Sequence, residues 1–134
     1  MQINNQLLLK FMAIESRAEI QNSYVHFLCK GQFEKKEMQA AFREAFEIAG
    51  HNNLNLILVD GFGLYGNPPT MFERFEMGEH VAELCRNFGK PVRIAFAAEI
   101  PIVDPRRFGE MVARNRGANG KVFTDLGEAK EWLQ

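Results

Sequence analysis

The chain has 134 residues, 16 Lys plus Arg against 17 Asp plus Glu, and a formal net charge of −1. That length predicts one domain over 1–134, burying roughly two thirds of its unfolded surface without disulfide or metal staples. Hydrophobic residues at 46% and charged residues at 25% exclude a disordered chain, and the neutral balance argues against nucleic-acid or anionic-membrane binding, which favour a basic excess.

Residues 7–14 form a short apolar run and read as the first strand. The polar stretch Glu15 to Asn22 then reads as a turn. A second strand follows over 24–29, rich in aromatic and β-branched types. The connection is too short for a crossover helix, so the two strands should pair as an antiparallel hairpin at the sheet edge. From Glu34 to Ala49 the period changes: Met38, Ala41, Phe42, Ala45, Phe46 and Ala49 recur on one face of an amphipathic helix. Residues 54–59 form a near-continuous apolar third strand, of the kind buried on both faces.

Asp60 to Thr70 reads as the one long irregular segment, with Gly61, Gly63 and Gly66 permitting positive φ in a mobile loop. Thr70 with Glu73 matches a capping box, so a helix should begin there. Its buried stripe runs through Met71, Phe75, Gly78, Ala82, Cys85 and Phe88. Residues 91–98 read as strand four. Asp104 followed by Pro105 reads as an N-cap with proline at the first helical position, opening a helix to about Arg116. Residues 121–124 form a short fifth strand, and Asp125 with Glu128 caps a final helix. The order β-β-α-β-α-β-α-β-α predicts an α/β fold with a mixed sheet of about five strands, mostly parallel and with right-handed crossovers.

Ligands of open α/β sheets bind outside the carboxyl ends of the parallel strands. Here those ends deliver Asp60 with the glycine-rich segment, and Asp104 with the residues around it. Arg106 and Arg107, expected in the first turn of a helix, fit the helix dipole poorly, and a bound acidic group would explain them. Gly61, Gly63 and Gly66 only superficially match a dinucleotide fingerprint, because Asn67-Pro68-Pro69 intervenes before the helix. The three histidines lack ligand spacing, and Cys29 and Cys85 read as buried reduced thiols. No nucleophile motif occurs, so no catalytic residue, cofactor or metal is expected. The N-terminus lacks the marks of a signal peptide and no membrane span is present, so a cytoplasmic location is expected.

Several segments resemble the SpoIIAA-like, or STAS-like, superfamily of small bacterial domains, and within it the STAS/SEC14-like proteins. They are Leu56-Ile-Leu-Val-Asp60, Pro91-Val-Arg-Ile-Ala-Phe96, Arg116-Gly117, Val122-Phe123-Thr-Asp125 and Glu128-Ala129-Lys-Glu-Trp132-Leu133. The resemblance covers nearly the whole chain and implies a SpoIIAA-like fold. In regulatory members a serine or threonine after the third strand is phosphorylated by a partner kinase. The corresponding corner here is Asp60-Gly61-Phe62-Gly63, and the first serine or threonine after it is Thr70.

The expected function is a non-catalytic regulatory or binding domain. It would act through Asp60, Gly61, Phe62, Gly63, Tyr65 and Thr70 together with the second helix. The alternative is a carrier of a small apolar or amphipathic acid, with its carboxylate at Arg106 or Arg107. A homodimer through the aromatic loop or the first strand is a further expectation. Among the 12 phenylalanines, Phe62 is the one that sheet-to-helix packing does not require.

Overall fold

The structure, a computed structural model, describes residues 13–134. Five strands, β1 (Ile14–Ile20), β2 (Val25–Gln32), β3 (Leu56–Tyr65), β4 (Arg93–Ala97) and β5 (Asn119–Phe123), form one sheet in the order β1-β2-β3-β4-β5. β1 runs antiparallel to β2 at the edge, and the remaining pairs are parallel. Helices α1 (Lys35–His51), α2 (Met71–Arg86), α3 (Phe108–Asn115) and α4 (Leu126–Leu133) complete the expected α/β order.

Strand alternation sorts the core into two layers. Val25, Phe27, Ile57, Val59 and Ile94 pack against Met38, Phe42, Phe46 and Val81 of α1 and α2. Leu58, Ala95, Ala97 and Phe123 pack against Ala129 and Leu133 of α4 on the other face. There the Arg93 guanidinium also lies 4.9 Å from the Trp132 ring centroid. α3 stacks on α2 through Ala82, Ala113 and Ala118. The closest approach is at Gly78, where an added Cβ would lie 2.7 Å from the Gly109 carbonyl oxygen.

The stretch from Glu15, expected to turn the chain, is strand up to Ile20. The apolar run 7–14 lies almost wholly outside the described residues, and the strand begins at Ile14 and occupies the stretch that reads as a turn. Its outward positions Glu15, Arg17 and Glu19 are charged, as suits an edge strand, so its apolar content is too low for a sequence pattern to register. β2 supplies the pairing that holds it extended, and Glu37 of α1 accepts both the Ala13 and Ile14 N–H groups at 3.0 Å. The actual turn is closed by Gln21 N–H donating to the Tyr24 carbonyl at 2.9 Å.

The second correction falls on the glycine-rich segment. Asp60 to Tyr65 is not a loop: β3 continues through it, paired Lys30↔Gly63, Gly31↔Leu64 and Gln32↔Tyr65. The register moves from Leu28↔Asp60 to Lys30↔Gly63, so β3 carries one extra residue, a bulge. The bulge resets the alternation, leaving Phe62 on the α4 face and returning Leu64 to the α1 and α2 core. Gly61 and Gly63 serve close approach rather than positive φ. A Cβ at Gly63 would lie 2.7 Å from the Lys30 Cβ, and one at Gly61 2.9 Å from Leu64. Of these three glycines, Gly66, just past the strand, has positive φ, at 101°.

Candidate functional site

The carboxyl end of β3, the start of α2 and the segment after β4 meet at one end of the sheet. Thr70 is the N-cap of α2, and its hydroxyl accepts the Glu73 N–H at 3.1 Å. Glu73 returns a carboxylate oxygen to the Thr70 N–H at 2.9 Å, which completes the expected capping box and satisfies two orphan donors. Thr70 itself is exposed. Just before it, Tyr65 is 64% exposed, and just after it Met71 and Phe72 are 47% and 68% exposed. The Phe72 and Phe75 rings stack at 6.5 Å, and the Arg116 guanidinium lies 5.1 Å from the Phe75 centroid. Met71 therefore lies outside the buried stripe expected for this helix.

Asp60 is not presented at this surface. It is buried, its Oδ2 lies 2.8 Å from Nε2 of buried His26, and its Oδ1 accepts the Phe62 N–H at 3.1 Å. A buried carboxylate needs such partners, and here they tie β2 to the bulge of β3. Phe62 is half-buried against the cluster that includes Leu58, Ala97 and Phe123 on the α4 side. The fold therefore uses Phe62, and among the described residues the exposed phenylalanine is Phe72.

The third correction concerns the segment after β4. Asp104 does not cap a helix directly. Its Oδ1 accepts the Arg106 N–H at 3.1 Å and its Oδ2 the Phe108 N–H at 3.3 Å. That side-chain turn absorbs Pro105, and α3 starts only at Phe108. Arg106 and Arg107 thus precede the helix instead of lying in its first turn, and Arg107 sits at its N-cap. The Arg106 N–H foremost, helped by the Phe108 N–H and the Arg106 and Arg74 guanidinium groups, holds the Asp104 carboxyl below the usual carboxylate range against burial, the second-largest effect. Arg106 extends outward with Nε 3.6 Å from Asp104 Oδ1. Arg107 occupies the N-cap position in a left-handed conformation, φ 56° and ψ 40°.

Beneath α2 and α3 lies an apolar cavity of about 100 Å³, walled by Met38, Phe42, Met77, Val81, Ile94, Phe96, Ile102 and Val122, with Arg74, Asp104, Arg107 and Glu110 among its polar neighbours. Arg74 closes one wall by donating to the carbonyls of Ile102 at 2.9 Å and Pro101 at 2.7 Å.

Neither cysteine is chemically poised. Burial, with Asp60 second, pushes the Cys29 thiol up to about 12, and burial pushes Cys85 to about 11, so the thiolate nucleophile is scarce. Among the described residues, no three His, Cys, Asp or Glu side chains are grouped to hold a metal ion, and no helix is long and apolar enough to cross a membrane.

His26, the exposed Phe72 and the separate place of Arg107 are not singled out by the sequence pattern. His26 had a signal: Tyr24, His26 and Leu28 alternate onto one face, as do Leu56, Leu58 and Asp60. Their pairing still required the register between β2 and β3.

The chain matches no protein-family profile and no curated protein. Among solved structures it is similar to an anti-sigma factor antagonist from Mycobacterium paratuberculosis, with a TM-score of 0.58 and 13% sequence identity, over 90% of this chain and 93% of that one. The five-stranded mixed sheet, its antiparallel edge strand and the four helices among the described residues agree with that likeness, and the chain has the SpoIIAA-like, STAS-type fold.

Proposed function

We propose that this chain is a non-catalytic protein-interaction domain whose docking surface is the end of β3 and the first turn of α2. The observation that carries this reading is the group Tyr65, Met71 and Phe72, at 64%, 47% and 68% exposure. Large aromatic and thioether side chains at the surface are the usual anchors of protein interfaces. The structural neighbour is, by its name, an antagonist of an anti-sigma factor, which supports a regulatory protein partner here. In this reading Thr70 sets the start of the docking helix, while Asp60, Gly61, Phe62 and Gly63 shape β3 from beneath.

Affinity capture from native cells with the wild type and with Phe72→Ser tests it. The expected result is a partner retained by the wild type and lost by the variant, at unchanged thermal stability. An identical captured set would refute the docking surface. Light scattering of the purified chain separates a different partner from a second copy.

A second reading, carriage of a small apolar or amphipathic acid, is favoured by the cavity beneath α2 and α3. Its volume of about 100 Å³ falls below the roughly 300–1,000 Å³ of pockets for drug-sized ligands. Any cargo is therefore far smaller than a long-chain lipid.

A further inference from the structure

We infer that the cavity beneath α2 and α3 is a binding site for a short carboxylate of about four to six carbons, its hydrocarbon end inside and its carboxylate on Arg107. The inference rests on the carrier reading and makes it specific.

Size comes first. A dry apolar cavity of about 150 Å³ admits benzene, and this one measures about 100 Å³. Its walls, among them Met38, Phe42, Met77, Val81, Ile94 and Val122, are mostly apolar. The occupant is therefore apolar over most of its surface and smaller than benzene or comparable with it.

Charge fixes the other end. The carboxylates bordering the cavity are occupied: Asp104 by the N–H groups of Arg106 and Phe108, and Glu110 by the Val122 N–H at 2.8 Å. The Arg74 guanidinium is held by two carbonyls. Lys121 carries its ammonium to within 5.5 Å of the Phe123 ring centroid, and Phe123 belongs to the opposite layer. Among the described residues, Arg107 is the bordering cation whose guanidinium has no hydrogen-bond or ion-pair partner.

Backbone conformation adds an independent argument. The φ of 56° at Arg107 is one that glycine or asparagine adopts more easily than arginine. The turn alone does not ask for an arginine there. A carboxylate at the cavity rim gives its planar fork of donors a use.

Methyl-detected NMR titration of the full chain tests this, with 3-methylbutanoate and its neutral analogue 3-methylbutan-1-ol as probes. The acid should saturate in the millimolar range and shift the methyls of Met77, Val81, Ile94 and Ile102. Arg107→Gln, at an exposed position that leaves the core intact, should weaken the acid by about tenfold or more and leave the alcohol unchanged. Should acid and alcohol bind the wild type equally at those methyls, the Arg107 assignment falls and the carrier reading stands. With no saturable shift from either probe, or with shifts confined to Met71 and its exposed neighbours, both fall.

Discussion

Replacing Gly78 by alanine sets two effects of known sign against each other. Alanine is the better helix former by about 1 kcal/mol in a helix interior, so an unobstructed site would gain stability. At Gly78 the new Cβ would meet the Gly109 carbonyl oxygen at 2.7 Å and the Val112 Cβ at 2.9 Å. Ordinary contact begins at 3.4 Å, so α2 and α3 must separate by roughly 0.7 Å, and one of the obstructing atoms is backbone. Overpacking of this kind costs about 1–3 kcal/mol, which outweighs the propensity gain. The net expectation is a loss of about 1 kcal/mol, or several degrees in Tm for a chain of this length. Gly50, near the end of α1, supplies the control, since its added Cβ would meet nothing nearer than a Phe88 ring atom at 3.9 Å. Gly50→Ala should gain about 0.5 kcal/mol. Urea denaturation followed by circular dichroism reads both variants. A Gly78→Ala protein as stable as Gly50→Ala would refute the close crossing of α2 and α3.

The same structure makes further predictions. Asp104 has a carboxyl held below its ordinary value of 3.8, so its contribution to stability is present above that pH and is lost as pH falls through the lowered native value. Asp104→Asn should flatten the acid limb of a stability-against-pH curve, and an unchanged limb would refute the assignment. Phe62→Ala should cost about 2–4 kcal/mol, since the ring packs in the α4 layer, while Phe72→Ala should fall within about 0.5 kcal/mol of wild type; thermal melts that reverse this ranking would contradict the burial. Thr70→Ala removes the capping box and should cost about 1 kcal/mol, read as faster amide exchange in the first turn of α2. Neither thiol should react with iodoacetamide in the folded protein at pH 8, the Cys29 thiol standing at about 12 and Cys85 at about 11, and rapid native alkylation would overturn their environments.

The sequence alone determined those features whose partners lie within a turn of one another. Thr70 and Glu73, and Asp125 and Glu128, are three residues apart, so their caps are legible without knowing what the helices pack on. The apolar stripe of α1 is equally local, and all six of its expected inward residues are buried. The alternation of strands with helices then forces a mostly parallel sheet, because each crossover must return its strand to the same edge direction. Function was less legible, because the exposure of Phe72 and the separate fates of Arg106 and Arg107 depend on neighbouring elements.

Only the tertiary structure decided where the strands begin and end. β1 is polar enough to read as a turn and becomes a strand because β2 satisfies its backbone. The glycine-rich end of β3 becomes a strand because β2 continues alongside it. Hydrogen bonding between strands belongs to the register and not to the residues taken singly, so a bulge of one residue leaves Phe62 on the α4 face and returns Leu64 to the other core. The His26–Asp60 pair spans 34 positions and exists only once that register is set. Burial follows the same rule: a side chain is covered by what other segments bring to it, which is why Phe62 and Phe72 exchange the roles their local sequences suggest.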